Sequence, residues 1–426
     1  MEMNFPLQSF LAVSTSNPWT YVVFGLIGFA FGFTLEMSGF GDSRKLAAQF
    51  YFTEMTVLKV MFTAIVVTLV LLFGAVGLGI LDFGQVWVNP TYLASGIFGG
   101  LIMGVGFIVG GFCPTTSLAS ASTGKIDGMF FVAGGFFGAF LFSETEKYFT
   151  NWYNNAGYLG RLTLDQVFGI PIGVVVLLIV LMALFMFWGA EQLERIFGKK
   201  DLSKEPKLRI TGALALVGAA VLLVVIGSPS LGDKYNKLTF HREVDGQQVA
   251  YTANEMLSKR LVFITPAEAF KSKYNQAMNP VYLDVRSEAN FNLYHIEDAV
   301  NVPINRLTEI VPALLAEPPA NSIFIVMSND ETAAVEAWKL LVASSVKNVY
   351  ILGGGVNNWI AFFGEDEKAL QYAPDAGDDE LKYTFPAALG DQYESCSPSP
   401  IKYGELEYEA KIKLELKRDK SGGGCG

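Results

Sequence analysis

The stretch Val109-Gly-Gly-Phe-Cys-Pro-Thr-Thr-Ser117 decides the fold, because a long apolar, glycine-rich segment breaks there at a proline that follows a single cysteine. No charged residue occurs between Asp82 and Lys125. A bilayer tolerates broken backbone only where protein or a water-filled cavity surrounds it. We therefore expect Cys113 to line a pathway within a membrane. The alternative is a small buried cysteine beside capping hydroxyls.

The residues after Cys113 suit the binding of an anion. Pro114 ends the apolar segment and lets a new helix start. A helix N-terminus that faces a cavity attracts anions, and a thiol adds a polarizable contact for sulfur. The hydroxyl residues that we expect to share this pathway are Thr115, Thr116 and Ser117.

The same pattern occurs 72 residues earlier, in Ser38-Gly-Phe-Gly-Asp-Ser-Arg44. This offset places Gly41 opposite Cys113, so the first third of the chain is a tandem repeat of which one copy keeps its thiol. The candidate pathway residues of the first copy are Glu36, Ser38, Gly41 and Ser43. An acidic residue at membrane depth is a functional candidate. The alternative for Glu36 is a structural ion pair with Arg44 or Lys45.

The composition indicates a membrane protein of two or three domains. Hydrophobic residues make up 51% and charged residues 17% of 426 residues. A net charge of −10 argues against nucleic acid as a partner. Three widely separated cysteines and two histidines predict neither a metal site nor a disulfide framework, and we expect no cofactor. The N-terminus lacks an early Lys or Arg, so we expect no cleaved signal peptide.

Six stretches are long enough to cross a bilayer, which takes about 20 apolar residues. They cover about 20–37, 58–80, 91–112, 126–143, 167–190 and 209–229. Two intervening segments, 43–54 and 114–124, are too short to span and predict re-entrant turns or short helices. The predicted domains are a membrane domain 1–230, a linker 231–261, an α/β domain 262–372 and a tail 373–426.

Loop charge predicts the orientation through the positive-inside rule. Ten basic residues fall on one side: Arg44, Lys45, Lys59, Lys125, Arg195, Lys199, Lys200, Lys204, Lys207 and Arg209. The short loops of the other side carry only Lys147 and Arg161. We therefore expect the N-terminus and everything after Pro229 to lie outside, in the periplasm of a bacterium, with the spans in its inner membrane.

Three motifs resemble the YeeE/YedE family of membrane proteins. They are Gly111-Phe-Cys-Pro-Thr-Thr-Ser117, Ser38-Gly-Phe-Gly-Asp-Ser-Arg-Lys45 and Met55-Thr-Val-Leu-Lys-Val-Met61, and the resemblance covers roughly 20–145. It implies a transporter in which pore cysteines contact a small sulfur anion such as thiosulfate. Only Cys113 carries over, because Gly41 replaces the cysteine of the first motif. Since the resembling region is short, dimerisation or the later spans would have to complete the pore.

Beyond Pro229 the pattern changes to alternating strands and helices. Apolar runs at 281–285, 322–327 and 346–352 predict buried strands, and segments at about 266–276, 305–316 and 331–343 predict the helices between them. Three pieces resemble a rhodanese domain over about 262–370. They are Leu283-Asp-Val-Arg-Ser-Glu288, His295-Ile-Glu-Asp-Ala-Val-Asn-Val-Pro303, and Tyr350-Ile-Leu-Gly-Gly-Gly355 with Trp359.

That resemblance implies a catalytic cysteine directly after the central strand, where this chain has Ser328. The degenerate loop comprises Ser328, Asn329, Asp330, Glu331 and Thr332. Serine cannot carry a transferable sulfur atom and is a poor nucleophile without a base, and the two carboxylates would repel thiosulfate. We therefore predict an inactive domain in which Asp284, Arg286 and His295 act as scaffold.

The tail offers a second thiol. An acidic linker, 373–380, precedes an apolar alternation over 406–416 that predicts one half-buried strand. The end, Ser421-Gly-Gly-Gly-Cys-Gly426, suggests a flexible arm in which Cys425 carries sulfur, and the alternative is an incidental end whose cysteine pairs with Cys396.

The predicted fold class is therefore a polytopic helical membrane domain with about six spans, built as a tandem repeat with re-entrant segments, then a rhodanese-like α/β domain and a β-rich tail. The leading hypothesis is transport of a small sulfur anion, with the bilayer, a second copy or a periplasmic sulfur-handling protein as partners. One alternative is a membrane-anchored sulfurtransferase or sulfur carrier that uses Cys425. Another is a membrane scaffold or sensor whose rhodanese-like module binds a partner protein.

Overall fold

A computed structural model describes residues 18–86, 88–199, 208–244, 247–316, 319, 321–365, 367–368, 370–386 and 390–414. These residues form two compact units. The N-terminal unit holds the described residues of Asn4–Leu81 and Val88–Pro229. The C-terminal unit holds those of Asp82–Trp87 and Ser230–Ser421.

The N-terminal unit is built of helices. They are α1 Pro18–Met37, α2 Ser43–Ala47, α3 Thr56–Gly77, α4 Leu93–Gly110, α5 Pro114–Ser122, α6 Ile126–Thr145, α7 Thr150–Asn155, α8 Leu164–Phe168, α9 Ile172–Ile196 and α10 Leu208–Ile226. Among the described residues, five helical segments are long and apolar enough to cross a membrane, and they lie in five of the six predicted stretches. The first stretch falls in α1, whose apolar part Tyr21–Met37 is shorter.

The surface of these helices is apolar. None of the residues of α4 is buried, and Val109 and Phe130 leave 83% and 76% of their area exposed. A contiguous apolar surface of this kind marks a membrane or protein contact rather than a surface that faces water. The hydrocarbon core of a bilayer is the solvent that it fits.

The tandem repeat is visible in the backbone. Each copy runs from a long helix through a short one to a second long helix, as α1–α2–α3 and as α4–α5–α6. Gly39 and Gly111, which the 72-residue offset aligns, both adopt left-handed φ angles, 76° and 70°. Phe40 and Phe112, the next residues, are both buried. The two segments that are too short to span thus form short helices.

The C-terminal unit contains a five-stranded parallel sheet with the order β3-β7-β6-β4-β5. The strands are β3 Phe263–Ile264, β4 Asn279–Asp284, β5 Val300–Asn301, β6 Ser322–Met327 and β7 Val349–Leu352. Every residue of β6 is buried, because helices cover both faces of a parallel sheet. The three predicted strands correspond to β4, β6 and β7.

Five helices connect or follow these strands: α13 Pro266–Lys273, α14 Glu288–Leu293, α15 Leu307–Ala316, α16 Thr332–Ala343 and α17 Gly355–Phe363. Those predicted at 266–276, 305–316 and 331–343 correspond to α13, α15 and α16. The short strands β3 and β5 lay below the length at which hydropathy alone indicates a strand.

Residues 231–261, which we expected to be a linker, hold regular structure. They form α11 Leu231–Lys237, an antiparallel hairpin of β1 Thr239–Val244 with β2 Gln247–Thr252, and α12 Ala253–Ser258. Leu238, Ala253 and Met256 are buried in the core of the C-terminal unit.

Among the described residues, β8 Gln371–Tyr372 at the end of the α/β domain pairs with β9 Tyr383–Thr384 of the tail. The strand predicted over 406–416 is wrong for its described part, because 406–414 has no regular secondary structure. Its main chain bonds to side chains instead: Lys411 N and Ile412 N each donate to Glu268 Oε1 over 2.7 Å. The hydroxyl of Tyr350 accepts from Lys413 N at 2.8 Å and donates to Lys413 O at 2.9 Å.

Candidate functional site

The thiol lies where α4 gives way to α5. Gly111 ends α4 with its left-handed φ, and a Cβ atom on it would lie 2.9 Å from the carbonyl oxygen of Ser43. Cys113 then takes an extended conformation as the N-cap of α5, and Pro114 occupies the first helical position. Proline is well suited there because its missing N–H has no partner within a helix.

Thr116 is the hydroxyl residue that contacts the thiol. Its Oγ1 lies 3.3 Å from Cys113 Sγ and accepts a hydrogen bond from Cys113 N at 3.0 Å. Ser117 instead donates to the carbonyl oxygen of Pro114 at 2.7 Å. Thr116 and Ser117 are buried, whereas Cys113 and Thr115 are half-buried. Cys113 is therefore partly exposed, and its sulfur atom is the polarizable group of this turn.

The first repeat approaches the same region through three polar contacts. Ser120 Oγ donates to Gly41 O at 3.0 Å, and Ser43 Oγ donates to Asp127 Oδ2 at 2.7 Å. Glu36 forms an ion pair with Lys125 at 3.4 Å.

An apolar cluster supports these contacts, with Phe40, Leu46, Val57 and Phe112 buried together. The turn between α1 and α2 and the turn between α4 and α5 thus pack against each other.

The structure changes the expected partner of Glu36, which lies just before the first motif. Glu36 pairs with Lys125, whereas Lys45, an expected partner, donates to Ser38 O at 3.0 Å. The Ser38 hydroxyl donates back to the carbonyl of Thr34 within α1. From the sequence, Lys125 was predicted only as a basic loop residue, and Asp127 was not predicted as a site residue. The relevant signal was the position of both residues at the start of a span, beside the second motif.

In the C-terminal unit, the first residue of the loop after β6, Ser328, is not accessible to solvent. Ser328 is fully buried, and its Oγ accepts a hydrogen bond from Ala334 N at 3.2 Å. The loop lies against Gly355, where a Cβ atom would meet the carbonyl oxygens of Asp330 and Ser328 at 2.0 and 2.5 Å. A nucleophile must reach its substrate, and this hydroxyl is held inside.

The carboxylate of Asp379, a residue of the acidic linker, binds the amide of Asp330 in this loop and the amide of Ala333 at the start of α16. Its Oδ1 accepts from Asp330 N at 2.9 Å and its Oδ2 from Ala333 N at 3.2 Å. Asp330 returns the contact, since its Oδ2 accepts from Asp379 N at 2.8 Å. Burial and then the neighbouring Asp330 raise the pKa of Asp379. Burial also acts to raise the pKa of Asp330, but the hydrogen bonds from Thr332 N and Asp379 N outweigh it and lower that pKa.

Glu331 is also fully engaged. Its carboxylate binds both Nη atoms of Arg260, at 2.9 and 2.5 Å, and accepts from Gly354 N at 2.6 Å. Burial acts to raise the pKa of Glu331, but the contacts with Arg260 and Gly354 prevail and lower it. The two loop carboxylates therefore bind protein groups.

The residues expected to act as scaffold have these partners. Arg286 and Asp284 form a buried ion pair, with Nη2 2.6 Å from Oδ2, and Arg286 Nη1 donates to Asn329 Oδ1 at 3.1 Å. This links the end of β4 to the loop after β6. His295 stacks on Phe291 at 3.9 Å between ring centroids, and its Nδ1 lies 2.8 Å from the carbonyl oxygen of Phe291.

The other two cysteines are Cys396 and Cys425. Cys396 is buried, which raises the pKa of its thiol to about 12 and keeps it protonated at neutral pH. Cys425 lies outside the described residues. Within the part of the chain that the structure describes, no group of three or more His, Cys, Asp or Glu residues is placed to hold a metal ion.

A repeated helical membrane unit with an α/β unit behind it defines a polytopic membrane protein. The chain belongs to the sulphur transport family, whose model matches residues 15–252. This range is wider than the 20–145 of the expected resemblance. A rhodanese-like domain model matches residues 267–362, so the chain fuses the two. Searches of the curated proteins and of the solved structures each found no match.

Proposed function

We propose that this protein transports a small sulfur-containing anion of the thiosulfate type across the bacterial inner membrane. The observation that carries the proposal is Cys113: a half-buried thiol beside the Thr116 hydroxyl, at the break between α4 and α5. It lies inside the range that matches the sulphur transport family. A thiol contacts sulfur through polarizability rather than charge, which suits selection of a sulfur anion over a simple oxyanion.

The pathway that we propose includes residues of both repeats. In the second repeat it comprises Cys113, Thr115, Thr116 and Ser117, and in the first Glu36, Ser38, Gly41 and Ser43. The packing of Ser120 on Gly41 and of Ser43 on Asp127 supports this pairing of motifs. A second copy of the chain or the helices α9 and α10 would complete the pore.

The proposed orientation places the N-terminus and the C-terminal domain in the periplasm. It rests on the distribution of basic residues, since ten of them lie in the loops or near the helix ends of one side and two in short loops of the other. The boundaries that we propose lie at 230, 261 and 372, and the connection 231–261 is an ordered segment with residues in the core of the C-terminal unit.

The rhodanese-like domain is proposed to be an accessory without turnover. Burial of Ser328 and the binding of Asp379 to the amides of Asp330 and Ala333 support this role. The domain would bind or present the substrate or a periplasmic sulfur-handling protein, and Asp284, Arg286 and His295 would maintain its shape.

Uptake of ³⁵S-labelled thiosulfate by proteoliposomes tests the proposal. We expect Cys113→Ala to abolish uptake, because the sulfur contact is lost. The matched control is Cys425→Ser, which removes a thiol from the tail and should leave uptake unchanged. Undiminished uptake by Cys113→Ala would overturn the proposed pathway. Loss of uptake with Cys425→Ser would favour the sulfur-carrier alternative.

A further inference from the structure

Gly41 is the repeat position that lacks a thiol, and two charged side chains, Glu36 and Lys125, fill the space beside it. Gly41 corresponds to Cys113 by the 72-residue offset. A Cβ atom built on Gly41 would lie 2.6 Å from Glu36 Oε2 and 2.7 Å from Lys125 Nζ. Any side chain at this position would therefore displace the ends of an ion pair that links the two repeats.

A second ammonium group lies close to the same turn. Lys45 Nζ donates to Ser38 O at 3.0 Å and would lie 2.8 Å from a Cβ atom on Gly39. Lys45 and Lys125 thus bring two positive charges to the turn between Ser38 and Gly41. Glu36 supplies the carboxylate that pairs with Lys125, and the carboxylate of Asp127 at the start of α6 also interacts with that ammonium group.

The pair between Glu36 and Lys125 is loose. A single contact of 3.4 Å joins the two groups, and the side chains of Lys125 and Glu36 keep 39% and 46% of their area exposed. Partly exposed pairs of this kind contribute little free energy, because water and salt screen them. An arriving anion can therefore compete with Glu36 for the ammonium group.

We propose that Lys125 is an anion-binding residue of the transport pathway, and that Glu36 holds its ammonium group until a sulfur oxyanion replaces the carboxylate. This inference rests on the proposed function and refines it. The chain would recognise its substrate through two kinds of contact. Cys113 would contact the sulfur atom through polarizability, and Lys125 would bind the oxygen atoms through charge-assisted hydrogen bonds.

The test compares thiosulfate uptake by full-length variants in proteoliposomes. We expect Lys125→Gln to raise KM about tenfold with little change in maximal rate, because binding is lost in the ground state and transition state alike. Lys125→Arg should retain a KM within about threefold of the original, since the charge is kept. The matched control is Lys147→Gln, a lysine in a short loop far from this turn in sequence.

Glu36→Gln separates a binding role from a structural one. If the pair only fastened the repeats together, breaking it from either side would have the same effect. If Lys125 binds the anion, Glu36→Gln removes a competitor and should lower KM about threefold, opposite in sign to Lys125→Gln. An unchanged KM in Lys125→Gln, or a rise in Glu36→Gln equal to that in Lys125→Gln, would overturn the inference.

Binding measured without transport keeps the two proposals distinguishable. Calorimetric titration of the detergent-solubilised chain with thiosulfate should show weaker binding for Lys125→Gln and tighter binding for Glu36→Gln. If Cys113→Ala loses uptake while both variants bind like the original protein, the proposed function stands and the inference fails. If Cys113→Ala transports normally while the two variants shift binding in opposite directions, the inference stands and the thiol pathway fails.

Discussion

At the residue scale, the turns of the repeat depend on glycine for two separable reasons. Gly111 and Gly124 both adopt left-handed φ angles, 70° and 82°, which residues with a side chain rarely take. A Cβ atom on Gly111 would press on the main chain of Ser43, whereas one on Gly124 meets nothing within 4 Å. The first position requires glycine for conformation and for space, and the second for conformation alone.

We therefore predict that Gly111→Ala lowers the midpoint of thermal unfolding more than Gly124→Ala does. Gly124→Ala is the matched control and should cost about 1–2 kcal/mol, the strain of an L-residue in the left-handed region. Gly111→Ala carries the same strain plus the contact with Ser43. The measurement is thermal unfolding of the detergent-solubilised chain, and equal shifts in the two variants would contradict the prediction.

At the scale of elements, the acidic linker binds the start of α16 through Asp379. The carboxylate of Asp379 bonds to the amides of Asp330 and Ala333, and its carbonyl oxygen accepts from Asn329 Nδ2 at 2.7 Å. A carboxylate at a helix N-terminus also interacts favourably with the helix dipole. The linker is thus part of the packed domain rather than a spacer.

Asp379→Ala should loosen the loop without creating an enzyme. We expect a loss of about 0.5–2 kcal/mol, the usual cost of removing a capping carboxylate, and faster amide hydrogen exchange over 328–334. Asp378→Ala, which changes an exposed neighbour, should have neither effect. Thiocyanate formation from thiosulfate and cyanide should stay absent, because Ser328 cannot hold sulfur. Unchanged hydrogen exchange would show that the linker contact does not stabilise the loop.

The elements differ in how far they could be predicted. Spans and central strands were predictable, because hydrocarbon and a two-sided core both demand continuous apolar runs. The alternation over 406–414 misled, since the described side chains of Leu406, Ile412 and Leu414 are half-buried against the core without any strand pairing. The partner of Glu36 could not be predicted, because Lys125 is 89 residues away and only the folded repeat brings them together.

At the scale of the whole molecule, an ion pair with a buried carboxylate joins the first repeat, at α3, to the long helix α9. Glu194 of α9 is fully buried, with Oε2 2.7 Å from Lys59 Nζ and Oε1 2.7 Å from Met55 N. Both partners belong to the start of α3 and the residue before it. A charge in such a place persists only when it is paired and hydrogen-bonded.

Lys59→Met should therefore be strongly destabilising, by about 3–5 kcal/mol, because it removes the Lys59 ammonium group from the fully buried Glu194 carboxylate. The matched control is Arg209→Met, which breaks a more exposed pair with Glu191 and should cost about 0–1 kcal/mol. Yield of monodisperse protein on size exclusion and the thermal midpoint in detergent are the measurements. A similar loss in both variants would mean that burial of Glu194 does not matter to folding.

The way Glu268 and Tyr350 hold the tail has a consequence for sequence change. Both side chains form hydrogen bonds with main-chain atoms of 411–413. Every residue type has these main-chain groups, except that proline lacks the N–H. These main-chain hydrogen bonds do not depend on which side chains the three positions carry, although Ile412 also packs against the core and Lys411 Nζ donates to Arg260 O at 3.2 Å. Proline at 411, 412 or 413 would remove one of these main-chain bonds, whereas replacing Glu268 or Tyr350 would remove two.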